Sequence, residues 1–241
     1  MSREGLSRHV TARVVGLVPT LLVLITIAFI LIRVAPGGPF DGEVELPPEV
    51  RANLEAKYHL DEPILQQYFR YLGDVVTGDL GPSFRYPDSS VNDLIARGFP
   101  VSATIGGLAM LIAFFAGTVI GVFAALRQNT AVDYSLMGIG MLGISVPNFV
   151  IAPVLILVLA IYGGWLPAGG WDWSWQRMVL PVLTLALPAI AYIARLTRGS
   201  LIEVMHSNYI RTARAKGLPE HVVVLRHALK PALLPVISYL G

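Results

Sequence analysis

Apolar residues run unbroken by Asp, Glu, Lys, Arg or His over four stretches, Val14–Ile32, Val101–Leu126, Tyr134–Tyr162 and Met178–Ala194. A helix that crosses the hydrocarbon core needs roughly 17–25 predominantly apolar residues, so each stretch is long enough to span. The pattern predicts an all-α polytopic membrane protein with spans at 14–34, 101–126, 134–162 and 178–194. A fifth apolar run opens near residue 231 and reaches Gly241 after about ten residues, too few for a bilayer. The expectation is a chain truncated within its fifth span.

Between the first two spans, residues 35–100 carry a different pattern. Asp61-Glu62-Pro63 reads as a helix start, with a capping acid, a second acid favoured by the dipole and a proline in the first turn. Ile64, Leu65, Tyr68, Phe69, Leu72, Val75 and Val76 then recur at helical spacing up to Gly78. Ser90 and Asp93 have capping-box spacing ahead of Leu94 and Ile95, with Gly98 and Pro100 expected to end that short helix. A small helical cap packed on the membrane domain is the simpler reading, and a ligand-binding module the alternative.

Composition agrees with the apolar pattern. The chain is 54% hydrophobic and 14% charged, against about 25% charged in an ordinary soluble domain. Net charge is +2 and pI near 9.0, but the basic residues cluster beside the spans, which argues against nucleic-acid binding. There is no cysteine, so disulfides and thiolate metal sites are excluded. Arg3, Arg8 and Arg13 precede the first span like a secretory signal, yet the apolar run exceeds a signal's core of about 7–15 residues and Ala35-Pro36 is a poor cleavage site. The first helix is expected to remain uncleaved.

Lys and Arg resist translocation, which sets the orientation. Residues 1–13 and 195–230 are rich in Arg and Lys and are expected in the cytoplasm. The connection 35–100, acidic from Asp41 to Asp93, is expected outside. Trp165, Trp171, Trp173 and Trp175 fall between the third and fourth spans, where their rings suit the outer headgroup level.

Within the spans, Gly117-x-x-x-Gly121 and the series Gly138, Gly140, Gly143 permit close backbone approach, a packing device without functional specificity. Ser145-Val146-Pro147-Asn148-Phe149 predicts a mid-helix kink. Ser145, Pro147 and Asn148 are candidates for a polar translocation path, with a kink satisfied by neighbouring helices as the plain alternative. The four apolar runs hold no carboxylate, histidine or lysine for proton or sodium coupling. No G-x-x-x-x-G-K-[ST] loop or H-E-x-x-H is present. His221 and His227 are misplaced for one helical face, and interfacial roles suit them better than metal binding. Ser102, Ser145 and Ser200 have no recognisable base, which leaves a membrane-embedded hydrolase a distant alternative. No catalytic residue, metal site or bound cofactor is expected, and energy for transport must come from another subunit.

That need directs attention to Tyr209, Ile210, Arg211, Thr212, Ala213, Arg214, Ala215, Lys216 and Gly217. Ser207 or Asn208 caps a short helix through Tyr209–Lys216, Gly217 is a left-handed stop and Pro219 opens the next helix. Tyr209 and Ile210 offer an apolar anchor and Arg211, Arg214 and Lys216 offer charge, suited to a groove on a cytoplasmic partner. The alternative is a basic helix lying on anionic lipid as a membrane-surface scaffold.

The stretch YIRTARAKGLPEHVVVLRHALKPALLPV resembles the cytoplasmic signature of binding-protein-dependent ABC importer permeases, E-A-A, three residues, Gly, nine residues, I-x-L-P. Arg211, Thr212 and Ala213 fall on E-A-A, Gly217 on the glycine, and His227 to Lys230 on the last four. TARAKGL followed by HALKPALLPV is the variant of the peptide-permease branch. LVLITIAFILIRVAPGGPF, AKYHLDEPILQQYFRYLGDVVTGDLGPSF and RLTRGSLIEVMHSNYIRTARAKGL extend the likeness to B-type membrane subunits of bacterial oligopeptide importers over essentially the whole chain.

The resemblance implies a type I ABC importer transmembrane fold of six spans, with a permease core over 94–241 and a cytoplasmic coupling segment at 195–230. It implies a multi-pass protein of the bacterial inner membrane. Its implied partners are a second homologous permease, two cytoplasmic ATPases that hold ATP and Mg, a periplasmic oligopeptide-binding protein and membrane lipid. A dipeptide, nickel or glutathione importer permease is the alternative within the family.

Overall fold

The computed structural model describes residues 3–34, 60, 62–83, 86 and 89–240. The fold is all-α, and among the described residues the only β-type pairing is an isolated bridge between Pro82 and Ser90. Much of the acidic connection, including Asp41, Glu43, Glu45, Glu49, Glu55, Asp61 and Asp88, lies outside the described residues. The chain divides into two compact units, Met1–Gly98 and Phe99–Gly241.

In the first unit, α1 (Arg3–Val34) carries the apolar stretch Val15–Arg33, and α2 (Ile64–Thr77) packs on its last turns. Phe29 is buried against Tyr68 edge-on at 5.3 Å and Tyr71 at 5.9 Å, with the Arg33 guanidinium 4.1 Å above its ring. Buried Gln67 accepts from Arg33 Nε at 2.7 Å and donates to the carbonyls of Leu60 and Glu62, at 3.1 and 2.7 Å. α2 starts at Ile64 with Pro63 as its N-cap, later than the acidic start expected from sequence, because Pro63 has an extended ψ of 139°. It ends at Gly78, φ +83°, whose N–H reaches Val75 O while Asp79 N–H reaches Asp74 O. This is the paired-bond left-handed stop that glycine makes without steric cost.

α3 (Val91–Leu126) begins in a reciprocal capping box. Asp93 N–H donates to Ser90 Oγ at 3.0 Å and Ser90 N–H to Asp93 Oδ2 at 3.2 Å. The expected stop at Gly98 and Pro100 does not occur, since α3 runs on through both to Leu126. Spanning helices tolerate proline, which here removes one N–H and leaves the flanking helix intact.

The second unit is built around α6 (Trp175–Met205), which is one continuous helix. Helix α3 meets it at a glycine notch. A Cβ on Gly117 would lie 2.8 Å from Ile190 O, and one on Gly121 2.5 Å from Ala194 O. α4 (Ala131–Ser145) lays Gly140 and Gly143 against Ala191 of α6. α5 (Asn148–Tyr162, π-helical over Ile156–Tyr162) departs from α4 at 103°. The single kinked span expected over 134–162 is therefore a broken pair. Val146 is extended at ψ 120° and Pro147 at ψ 147°, so two consecutive residues leave the helical region.

The Trp-rich connection folds on itself, with Trp171 edge-on to Trp173 at 5.2 Å and Arg177 Nε donating to Asp172 Oδ2 at 3.0 Å. After α6 come α7 (Asn208–Ala215), α8 (Glu220–Ala232) and α9 (Leu234–Leu240), the last two bent by 42°. Among the described residues, three helices are long and apolar enough to cross a membrane, and up to five segments are if each bent pair is one span.

Candidate functional site: a seated basic helix

α7 is only two turns long and too short to be stable alone, so its stability comes from what it packs on. Ile210 and Ala213, one turn apart on the same face, are buried among Leu201 of α6 and Val223, Ala228 and Ala232 of α8. Ile210 had been expected to anchor a partner, and it instead fills this chain's own core. A two-turn amphipathic helix has one apolar face, and here α6 and α8 consume it.

Both ends of α7 are fixed. Ser207 is the N-cap residue by backbone, but its hydroxyl turns back to Val204 O at 2.6 Å and does not cap the helix. At the other end Gly217 has φ +77°. Its N–H donates to Arg214 O at 2.9 Å, and Leu218 N–H to Ala213 O at 3.5 Å. Leu218 packs onto the same buried cluster as Ala213, the hydrophobic contact that accompanies such a stop. Pro219 is the N-cap of α8, whose helical residues begin at Glu220.

The remaining candidate residues are outward. Tyr209 is 48% exposed, and Arg211, Thr212, Arg214, Ala215, Lys216 and Gly217 are exposed. Arg214 forks onto Glu220, Nε to Oε2 at 3.1 Å and Nη2 to Oε1 at 2.6 Å, which raises the guanidinium pKa and clamps α7 to α8 across the glycine turn. Its charge is thus spent inside the chain. Arg211 and Lys216 have no acidic partner among the described residues and supply the free positive charge of this face.

The other candidates sit elsewhere, at the break between α4 and α5. Ser145 Oγ donates to Met141 O at 2.8 Å, a local back-bond, and Asn148 opens α5 in an exposed position beside Pro147. Neither side chain lines the large cavity next to the break, whose walls are aliphatic.

Sequence reasoning missed one pair. Asp133 in the first turn of α4 is completely buried, and its carboxylate accepts Arg198 Nε at 2.5 Å and Nη2 at 2.6 Å. It also accepts the N–H of Asn129 at 3.0 Å. The available signal was an acid placed to cap a helix immediately before an apolar run.

A bundle of spanning helices bearing a short, seated basic helix between two of them is the architecture of a transporter membrane subunit. Residues 117–241 match the family described as binding-protein-dependent transport system inner membrane component. The chain is 57% identical over 235 residues, 97% of its length and 77% of the relative's, to the oligopeptide transport system permease protein OppB of Escherichia coli (strain K12). Identity is 55% over 235 residues, with the same coverage, to OppB of Haemophilus influenzae. To the dipeptide transport system permease protein DppB of Bacillus subtilis it is 47% over 236 residues, 98% of this chain and 76% of the relative. The chain belongs to the binding-protein-dependent inner membrane component family and is a multi-pass permease subunit of an ABC importer with the type I transmembrane fold.

Proposed function

We propose that this chain forms half of the oligopeptide path through a bacterial inner membrane and that the outward face of α7 docks on a cytoplasmic ATPase. The single observation that carries the docking is the division of α7 into an inner face locked by Ile210 and Ala213 and an outer face with unpaired Arg211 and Lys216. A helix seated this way moves with α6 and α8, so a displacement applied to it biases the bundle between inward and outward openings. A second homologous permease, two ATPases that bind ATP and Mg, and a periplasmic oligopeptide-binding protein complete the assembly. The amino terminus and α7 lie in the cytoplasm, following the distribution of Lys and Arg. Ser145, Pro147 and Asn148 border the path where α4 turns into α5. Higher identity to relatives named for oligopeptides than to the one named for dipeptides supports the longer substrate.

Peptide uptake and ATP hydrolysis measured together in proteoliposomes test this reading. Arg211→Glu with Lys216→Glu is expected to abolish stimulated hydrolysis and ATPase co-purification while insertion is unchanged. Full uptake in that variant would refute the docking role.

A further inference from the structure

α1 holds α2 by the turn 67–71, and the order of the contacts sets which way the faces of α2 point. Gln67 meets Arg33, where the apolar stretch Val15–Arg33 ends. Tyr71 and Tyr68 meet Phe29, one turn lower. The Tyr68 hydroxyl shares a hydrogen bond of 2.6 Å with the hydroxyl of Thr26, which lies about 10 Å below Arg33 at 1.5 Å per residue.

Round the axis of α2, at about 100° per residue, these side chains follow in the order Gln67, Tyr71, Tyr68. Their partners descend α1 in the same order. Tyr68 comes before Tyr71 in sequence yet reaches deeper, so depth follows position round α2 and not position along it. α2 therefore crosses α1 and stacks its faces along the direction in which α1 enters the membrane.

Beyond Tyr68, in the same rotational sense, come Leu72, Leu65, Val76 and Phe69 within an arc of about 60°. Leu65 is 69% exposed, Phe69 67% and Val76 86%. From Gln67 in the opposite sense come Asp74, Arg70, Thr77 and Gln66, all exposed. The apolar arc thus faces the membrane and the polar arc faces water. Leu22, one turn below Thr26 on the same face of α1, is also exposed, so the apolar arc of α2 and the deeper part of α1 form one continuous apolar surface.

We propose that α2 lies in the membrane surface at the carboxyl end of α1, with Leu65, Phe69, Leu72 and Val76 among the acyl chains of the lipid. The depth of its attachment selects lipid as the occupant, since the arc opens toward the level of Thr26, inside a stretch long enough to span. The attachment places α2 there whichever way the chain is oriented. Arg70 is paired with Glu62 at 2.6 Å, so retention at the surface rests on apolar burial and requires no anionic head group.

The test uses the protein extracted with its associated subunits and reconstituted in phosphatidylcholine vesicles. The chain has no cysteine, so Leu65→Cys, Phe69→Cys, Val76→Cys, Gln66→Cys and Thr77→Cys each carry one nitroxide on this chain, with the unsubstituted complex as the blank for thiols of other subunits. Power-saturation electron paramagnetic resonance compares collision with oxygen, which concentrates in the acyl region, and with a water-soluble nickel chelate. Labels at 65, 69 and 76 are expected to favour oxygen, at depths of about 5–10 Å, and labels at 66 and 77 to favour the chelate. Preference for the chelate at 65, 69 or 76 would place the arc in water and overturn the proposal. Shielding of any of these three from both reagents would place a protein surface there and overturn it equally.

Discussion

Asp133 and Arg198, 65 residues apart in sequence, meet in a two-bond fork at 2.5 and 2.6 Å that joins the first turn of α4 to α6. Asp133 serves three neighbours at once: the guanidinium, the N–H of Asn129 and the positive end of α4. Arg198 keeps partial access to solvent, its side chain 25% exposed.

Removal of the acid therefore leaves a semi-buried cation and an unpaired amide. Asp133→Ala is expected to destabilise the protein by about 3 kcal/mol, the cost of breaking a buried pair from one side. Fluorescence-detected thermal unfolding in detergent checks this. The double variant Asp133→Ala, Arg198→Met should recover part of the loss, because no charge is then stranded. If the double variant were no more stable than Asp133→Ala, the pair would not be the source of the effect.

The notch between α3 and α6 makes a sharper prediction. Gly121→Ala places a methyl 2.5 Å from a main-chain oxygen and 2.6 Å from Thr197 Cβ, and neither atom sits at the end of a flexible side chain. Separation of the helices is expected to cost about 1–3 kcal/mol. Gly106→Ala in the same helix meets nothing within 4 Å and is expected to be neutral or to stabilise by up to about 1 kcal/mol through helix propensity. Opposite shifts of the two variants in one melting assay would separate packing from propensity.

For α7 the structure distinguishes a seat from a face. Ile210→Ala empties a fully buried position and is expected to lower stability by about 2–5 kcal/mol. Tyr209→Ala, half exposed, is expected to leave the melting temperature nearly unchanged while weakening recovery of the ATPases. Thermal unfolding and co-purification should move independently in the two variants. A common loss in both measurements for Tyr209→Ala would mean that its ring belongs to the seat.

What could be read in the sequence follows the range of the interactions involved. The Ser90–Asp93 capping box, the helix end at Gly78 and the left-handed stop at Gly217 are set by residues within one turn, and the structure forms them where spacing predicts. The Gly117 and Gly121 notch was legible as a close approach, though not its partners on α6. Pro100 misled because the penalty of an interior proline is weighed differently in a long apolar helix, whose propagation on both sides outlasts one missing bond. Ile210 misled because an apolar face does not state whether its partner lies in the same chain. The Asp133–Arg198 fork was invisible, since nothing local links a capping acid to an arginine two helices later.

In the first unit, Gln67 is the residue on which α1 and α2 agree. Its amide oxygen accepts a hydrogen bond from Arg33 Nε, and its amide nitrogen donates to the carbonyls of Leu60 and Glu62. Gln67→Leu keeps the bulk and removes all three bonds, which leaves acceptors and a guanidinium unpaired beside a buried ring. At ~1–3 kcal/mol for each unsatisfied buried group, the expected loss is at least about 2 kcal/mol after partial rehydration. Gln67→Glu would retain the Arg33 bond, now as an ion pair, but would repel the two carbonyls it faces, so it should fall between Gln67→Leu and the native protein. The first unit's own stability is the relevant quantity, and limited proteolysis of the 78–90 segment reports it without demanding transport. Cleavage ordered as Gln67→Leu fastest, Gln67→Glu intermediate and native slowest is the expected result; equal rates would assign the joint to Phe29 and its rings alone.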